Sequence, residues 1–173
     1  FRELGVEIHC VNQPIDTSTP MGRFTKSVIM NIAQLERETA AERIRDKVAA
    51  AKKSGRYTGG PAVLGYDIDH LRKALVVNDE EAVLVRRIFT DFIRDGSATR
   101  LAQQLNAEGK TTKQYLTVKG ILHEGRPWNK MHIYRLLQNP LYLGKVVHRG
   151  EWYTGRHDAI ISQELWDSAH AIL

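Results

Sequence analysis

The chain has 173 residues, of which 42% are apolar, and carries a formal net charge of +5. That length allows one large or two small domains, the apolar content excludes a disordered chain, and the positive balance raises the expectation of a polyanionic partner. The single cysteine, Cys10, excludes an intrachain disulfide and a cysteine-based metal site, and no apolar run approaches a membrane span.

The first residues, FRELGVEIHCVN, read as the end of a helix, a turn at Gly5 and a buried strand from Val6 to Val11. One strand is not a sheet, so the domain that owns it is expected to lie mostly upstream of residue 1. A turn-rich loop comes next. A long helix is then expected over Pro20–Ser54, with Thr17, Ser18 or Thr19 as N-cap, Pro20 in the first turn and Gly55 at the stop. At 1.5 Å per residue it spans roughly 50 Å, more than the width of a small domain. Phe24, Val28, Ile32, Leu35 and Thr39 form a stripe that Ile29, Met30 and Ala33 widen; Ile44, Val48 and Ala51 continue it more narrowly. An apolar surface wider than one seam suits more than one partner. The readings are a surface helix laced with ion pairs, or an oligomerisation helix whose basic end meets an anion.

Lys52–Pro61 (KKSGRYTGGP) reads as a basic, flexible linker, solvated or laid along nucleic acid. Beyond it, Tyr66–Ile68 and Ala74–Val77 read as a hairpin. Asn78 caps a helix through Asp95, with Glu80 and Glu81 in its first turn and Val83, Val85, Ile88, Phe89 and Phe92 inward. Gly96 ends it. Ser97 caps a second helix, Ala98–Glu108, with Leu101, Ala102 and Leu105 inside. Residues from Thr111 to Glu124 are irregular or briefly extended. Asn129 caps a third helix with Ile133, Leu136 and Leu137 inward, stopped by Asn139-Pro140. Leu143–His148 and Trp152–Arg156 flank a turn at Arg149-Gly150-Glu151. Ser162 caps a last helix with Leu165, Trp166, Ala169 and Ile172 inward. The expected fold is mainly α with small β-hairpins.

From Arg100 to Arg156 there are ten Lys or Arg against three acids, so the excess charge is concentrated there. The second and third helices resemble a helix-turn-helix, although about twenty residues separate them where a minimal motif has three or four. Asn129, Lys130, His132 and Arg135 fall away from the apolar face and suit base edges and phosphates; Arg126, Lys145, His148, Arg149 and Arg156 suit phosphates. Arg56 in the linker joins them. The seven histidines show no metal spacing, and His157-Asp158 is read as structural. Trp128, Trp152 and Trp166 are read as core or hairpin anchors.

The stretch from Ile15 to Gly60 resembles the end of a serine recombinase catalytic domain. The signatures Glu36-Arg37 and Glu42-Arg43 lie six apart, after Ala33-Gln34, and a Thr-Ser-Thr-Pro-x-Gly turn precedes them. The remainder of the chain resembles the recombinase domain of the large serine recombinases: Gly65-Tyr66, the helix start at Trp128, Leu137-x-Asn139-Pro140-x-Tyr142-x-Gly144, and Ile161-Ser162-x-Glu164-Leu165-Trp166. The resemblance implies a strand and long helix from an α/β resolvase catalytic domain (1–54), a linker (55–60) and a helical DNA-binding domain (61–173). It implies double-stranded DNA as partner, dimers that become tetramers in synapsis through the long helix, and strand exchange through a phosphoserine link. No metal or other cofactor, small-molecule substrate or membrane is implied; a cytoplasmic setting is the expectation from the single cysteine and the lack of an apolar run of membrane length. Arg43 matches the helix arginine near the reacting phosphate, Arg37 the first signature, and Glu36 and Glu42 positions tied to active-site order. The nucleophilic serine belongs upstream, so this stretch alone is expected to be inactive. The alternatives are a non-enzymatic DNA-binding regulator with a dimer helix, and a helical protein-binding module.

Overall fold

The computed structural model describes residues 17–69, 71–72, 74–117 and 120–173. The strand expected at Val6–Val11 lies outside the described residues. The chain divides into two compact units, residues 1–47 and 48–173.

Helix α1, Pro20–Lys53, is continuous over 34 residues and passes from the first unit into the second. Of the three candidate caps, Thr19 takes the role: its Oγ1 accepts the Gly22 N–H at 3.0 Å. No residue of α1 is buried. Phe24, Ile32, Leu35 and Ile44 are each more than half exposed, so among the described residues nothing buries these members of the stripe read from the sequence.

The second unit holds a core of helices and hairpins. Strands β1 (Tyr66–Asp69) and β2 (Ala74–Val77) pair antiparallel, with Tyr66 opposite Val77. Helix α2 (Asp79–Asp95) is capped by Asn78 and ended by Gly96 in a left-handed conformation. Helix α3 (Ala98–Ala107) is capped by Ser97. A short ladder comes next, β3 (Tyr115–Leu116) against β4 (Leu122–His123). Helix α4 (Lys130–Leu137) is capped by Asn129, and a 3-10 turn over Pro140–Leu143 by Asn139. Strands β5 (Lys145–His148) and β6 (Glu151–Thr154) pair across Arg149-Gly150, both with positive φ, and helix α5 (Gln163–His170) is capped by Ser162.

The core runs from Leu64 through the inner faces of α2, α3, α4 and α5. Its centre is aromatic. Tyr66 stacks on Tyr142 at 6.1 Å, and Phe89 meets Tyr142 edge-on and Trp166 at a tilt. Both phenols are also tethered. The Tyr142 hydroxyl donates to the Leu64 carbonyl at 3.0 Å, and that of Tyr66 lies 2.9 Å and 2.8 Å from the carbonyls of Leu141 and Asp158. Burial raises both phenol pKa values, so they remain neutral donors. Gly65, at φ 92°, is required: a Cβ there would stand 2.6 Å from Ile160 Cδ1.

Three expectations are corrected. Val83 is 63% exposed rather than inward, because at 100° per residue it lies nearly opposite the stripe of Val85, Phe89 and Phe92. Ile172 lies past the end of α5 and is 43% exposed. Leu143 belongs to the 3-10 turn, because Asn139-Pro140 both stops α4 and caps the next turn. His157 is structural, as expected: its Nε2 bonds the Leu141 carbonyl at 2.9 Å, its ring meets Tyr66 edge-on, and burial lowers its pKa.

Candidate nucleic-acid interface

Helices α3 and α4 pack against each other despite the residues between them. The excursion is closed at its neck. The Asn106 side chain clasps the backbone of Trp128 both ways: Oδ1 accepts the N–H at 2.7 Å and Nδ2 donates to the carbonyl at 2.9 Å. The Thr112 N–H donates to the Arg126 carbonyl, and the Arg126 N–H to Thr112 Oγ1, both at 2.9 Å. These bonds fix the start of α4 against the end of α3, which a short turn does in a minimal helix-turn-helix.

On α4 the buried residues are Ile133, Leu136 and Leu137. Lys130 and Arg135 are exposed, as is Arg126 before the helix. Asn129 is exposed, but its Oδ1 accepts the His132 N–H at 2.9 Å, so that oxygen serves as cap rather than reader. His132 departs from the outward placement expected of it. It is half-buried, its ring meets Trp128 edge-on at 6.4 Å, and its Nδ1 is buried without a hydrogen bond. The cause is the large Trp128 ring one turn before it. The outer face instead includes Met131 and Gln138, both exposed. Their signal in the sequence is position: on the helical wheel both lie opposite the Ile133, Leu136, Leu137 stripe.

A second basic group forms where α1 ends. Lys52, Arg56 and Lys145 line one groove together with Asn139 and Pro140. Arg56 closes α1 by donating its N–H to the Ala51 carbonyl at 3.0 Å, and its side chain is exposed. The half-buried Lys145 has its Nζ 3.5 Å from Thr154 Oγ1. Arg149 is exposed at the tip of the β5–β6 turn, away from α4 in the chain, with φ 52°. Arg156 is a fastener: its N–H donates to the Gly55 carbonyl at 2.9 Å and its Nε to the Ser54 carbonyl at 3.0 Å. Gly55 is buried against the Thr154 carbonyl, where a Cβ would clash.

Lys113, counted in the basic stretch, is also internal. Its Nζ lies 2.6 Å from Asp67 and 2.7 Å from Glu81, and its side chain is 10% exposed. Burial works against its charge, but the two carboxylates outweigh that and hold its pKa above the ordinary lysine range. Glu81 also accepts the Gly65 N–H at 2.8 Å, and Asn78 bonds Asp67 at 2.7 Å. None of this long-range wiring has a local sequence signal.

On α1, Arg37 and Arg43 are exposed, as are Glu36 and Glu42. Arg37 Nε lies 3.3 Å from the Ala33 carbonyl, one turn back. Ser27 Oγ donates to the Arg23 carbonyl at 3.1 Å. Among the described residues no helix is long and apolar enough to cross a membrane.

The chain belongs to the Recombinase family, which it matches over residues 79–173, and its first part, residues 1–57, matches the resolvase N-terminal domain. Among known proteins it is 46% identical over 59 residues to the probable DNA-invertase y4cG of Sinorhizobium fredii, covering 34% of this chain and 19% of that protein. It is 43% identical over 64 residues to the serine recombinase gin of Escherichia phage Mu (37% and 33%), and 35% identical over 88 residues to the transposon Tn917 resolvase of Enterococcus faecalis (51% and 46%). The chain thus spans less than half the length of these relatives. Two solved structures share its fold at 24% identity over 75% of the chain. One is described as the crystal structure of an LSR–DNA complex (TM-score 0.60, 38% of that chain). The other is a structure concerning the sequence requirements of the Listeria innocua prophage attP site (TM-score 0.59, 50% of that chain).

Proposed function

We propose that this chain is part of a cytoplasmic site-specific serine recombinase: the end of a catalytic domain (1–54), a linker (55–60) and a duplex-DNA-binding domain (61–173). The observation that carries the reading is the clasped α3–α4 pair, which holds α4 by its start while Lys130 and Arg135 stand exposed beside Arg126. A helix held this way suits the major groove, with Arg135 on a base edge and Arg126 on phosphate. Arg56, Lys145 and Arg149 supply further phosphate contacts. Helix α1 carries subunit association, dimeric first and tetrameric in synapsis, because none of its apolar residues is buried among the described residues.

In the chemistry of the full protein, a serine oxygen bonds to phosphorus as the bond to a deoxyribose oxygen breaks. Religation reverses this, so no external energy or oxidant enters. Arg43, with Arg37 in support, holds the phosphate and stabilises the added negative charge of the transition state.

The test is a titration of the chain against a duplex of about 40 base pairs over a salt series, since each neutralised phosphate adds roughly 0.9 to the log–log slope. A slope of several units that flattens when Arg126, Lys130 and Arg135 are replaced by Ala supports the reading. No binding at low salt overturns it.

A further inference from the structure

The β3–β4 hairpin carries apolar side chains that no described residue buries. Leu116 and Leu122 form one rung of its ladder, 62% and 52% exposed, and Ile121 beside them is 57% exposed. Three large aliphatics displayed on a projection of a water-soluble fold mark a contact surface.

The base of this hairpin is built to hold it in place. Lys113 is pinned between Asp67 and Glu81, and Tyr115 stacks on His123 at 4.7 Å. Thr112 and Arg126 close the neck with two hydrogen bonds, and Gly125 packs so tightly on Thr111 that a Cβ would clash. Two residues beyond Arg126, Trp128 is clasped by Asn106 at the start of α4. The hairpin and α4 are therefore anchored at one point.

We propose that the β3–β4 hairpin is a second DNA-contacting element, lying in the minor groove that flanks the major groove taken by α4, with Leu116, Ile121 and Leu122 against sugars and base steps. The proposal rests on the reading of α4 as a DNA-contacting helix and adds a second, minor-groove contact to it. Charge selects DNA over a protein partner. Leaving out Lys113, which Asp67 and Glu81 hold, there are four Lys or Arg from Lys110 to Lys130 against the single acid Glu124, and Lys110, Arg126 and Lys130 are exposed. Reach permits it: the segment from Thr112 to Leu116, only its last two residues in β3, extends up to roughly 13 Å at about 3.3 Å per residue, and the minor groove is about 6 Å wide. Chemistry fits as well, because Leu and Ile are among the side chains that wedge between base steps and kink a duplex.

The experiment uses the whole chain and a duplex enriched by it from a random library. Leu116→Thr, Ile121→Thr and Leu122→Thr are introduced together, and affinity, salt slope and DNA bend (energy transfer between end dyes) are compared with the parent. The expected result is binding weakened about tenfold or more with a smaller bend, an unchanged salt slope since no phosphate contact is lost, and an unchanged melting temperature. Replacing G·C by inosine·C pairs, which removes a minor-groove amino group, should alter binding by the parent and leave the variant indifferent. If the triple variant melts early, Leu116→Thr alone carries the same comparison. Equal affinity and bend in parent and variant overturn the proposal. So does a variant that binds DNA normally but loses self-association, which would make the hairpin a protein contact. If Arg135→Ala weakens binding while the hairpin variant binds as the parent does, only the hairpin proposal fails. If the parent binds no duplex, both readings fail together.

Discussion

Helix α1 and the core of the second unit use apolar residues in opposite ways. In the core, Val85, Ile88, Phe89, Leu101, Leu105, Ile133 and Leu137 have no exposed surface. Along α1, a stripe of similar length has no buried member. Among the described residues the core is closed on itself, whereas α1 leaves its apolar stripe unburied. Substitutions in the two regions should therefore read out in different experiments.

The sharpest contrast is Phe89→Ala. It empties the aromatic centre shared with Tyr142 and Trp166 and should cost about 3–5 kcal/mol, seen as a large drop in the urea midpoint. Gly65→Ala comes next, at about 2–3 kcal/mol, because the new Cβ meets Ile160 and Val85 from a backbone at positive φ. Asn106→Ala should cost about 1–3 kcal/mol, since the N–H and carbonyl of Trp128 lose their partners. DNA affinity should fall further than this stability loss explains, because α4 loses its fixed start; equal losses would reduce the clasp to a packing detail.

Lys113→Met tests the ion cluster through pH. Burial pushes the Asp67 pKa up, but bonds from Lys113 and Asn78 outweigh it and hold the value below the ordinary carboxylate range. A depressed folded pKa gives stability that is present above the ordinary value, about 3.9, and is lost as pH falls through the folded one. The acid limb of the parent's melting profile should be steeper than that of the variant below about pH 4. The smallest effect on stability, within about 0.5 kcal/mol, is expected for Leu35→Ala, whose side chain is 62% exposed. Sedimentation should nonetheless show weaker self-association, and unchanged association would break the contrast with the core.

The sequence carried the parts of this fold that are set locally. Asn78, Ser97, Asn129 and Ser162 each sit at a helix start and accept an N–H three residues on, and Gly96 ends α2. Such signals act within one turn and are visible in a short window. Reading failed where a distant partner decides. Lys113 counts as free charge until Asp67 and Glu81 are brought to it, and Asn106 reads as an ordinary helix residue until Trp128 arrives 22 positions later. His132 lies at the flank of the buried stripe, about 40° from Leu136 on a helical wheel, and its ring turns toward Trp128. The exposure of Lys130, Arg135, Arg126 and Arg56, the cations of the proposed interface, was legible because it follows from helix phase and composition. Met131 and Gln138, on the same face of α4, carry no charge to draw attention.

The closed neck at Thr112 and Arg126 also bears on how such a chain can change over generations. Because the two ends of the hairpin are joined to each other, and Asn106 separately secures Trp128, residues can be added or removed beyond the neck without altering the seat of α4. The hairpin's length can change while the fold around it is kept, provided Lys113 stays between Asp67 and Glu81, which makes the neck a natural graft site for transplanting one hairpin onto another scaffold of the same kind.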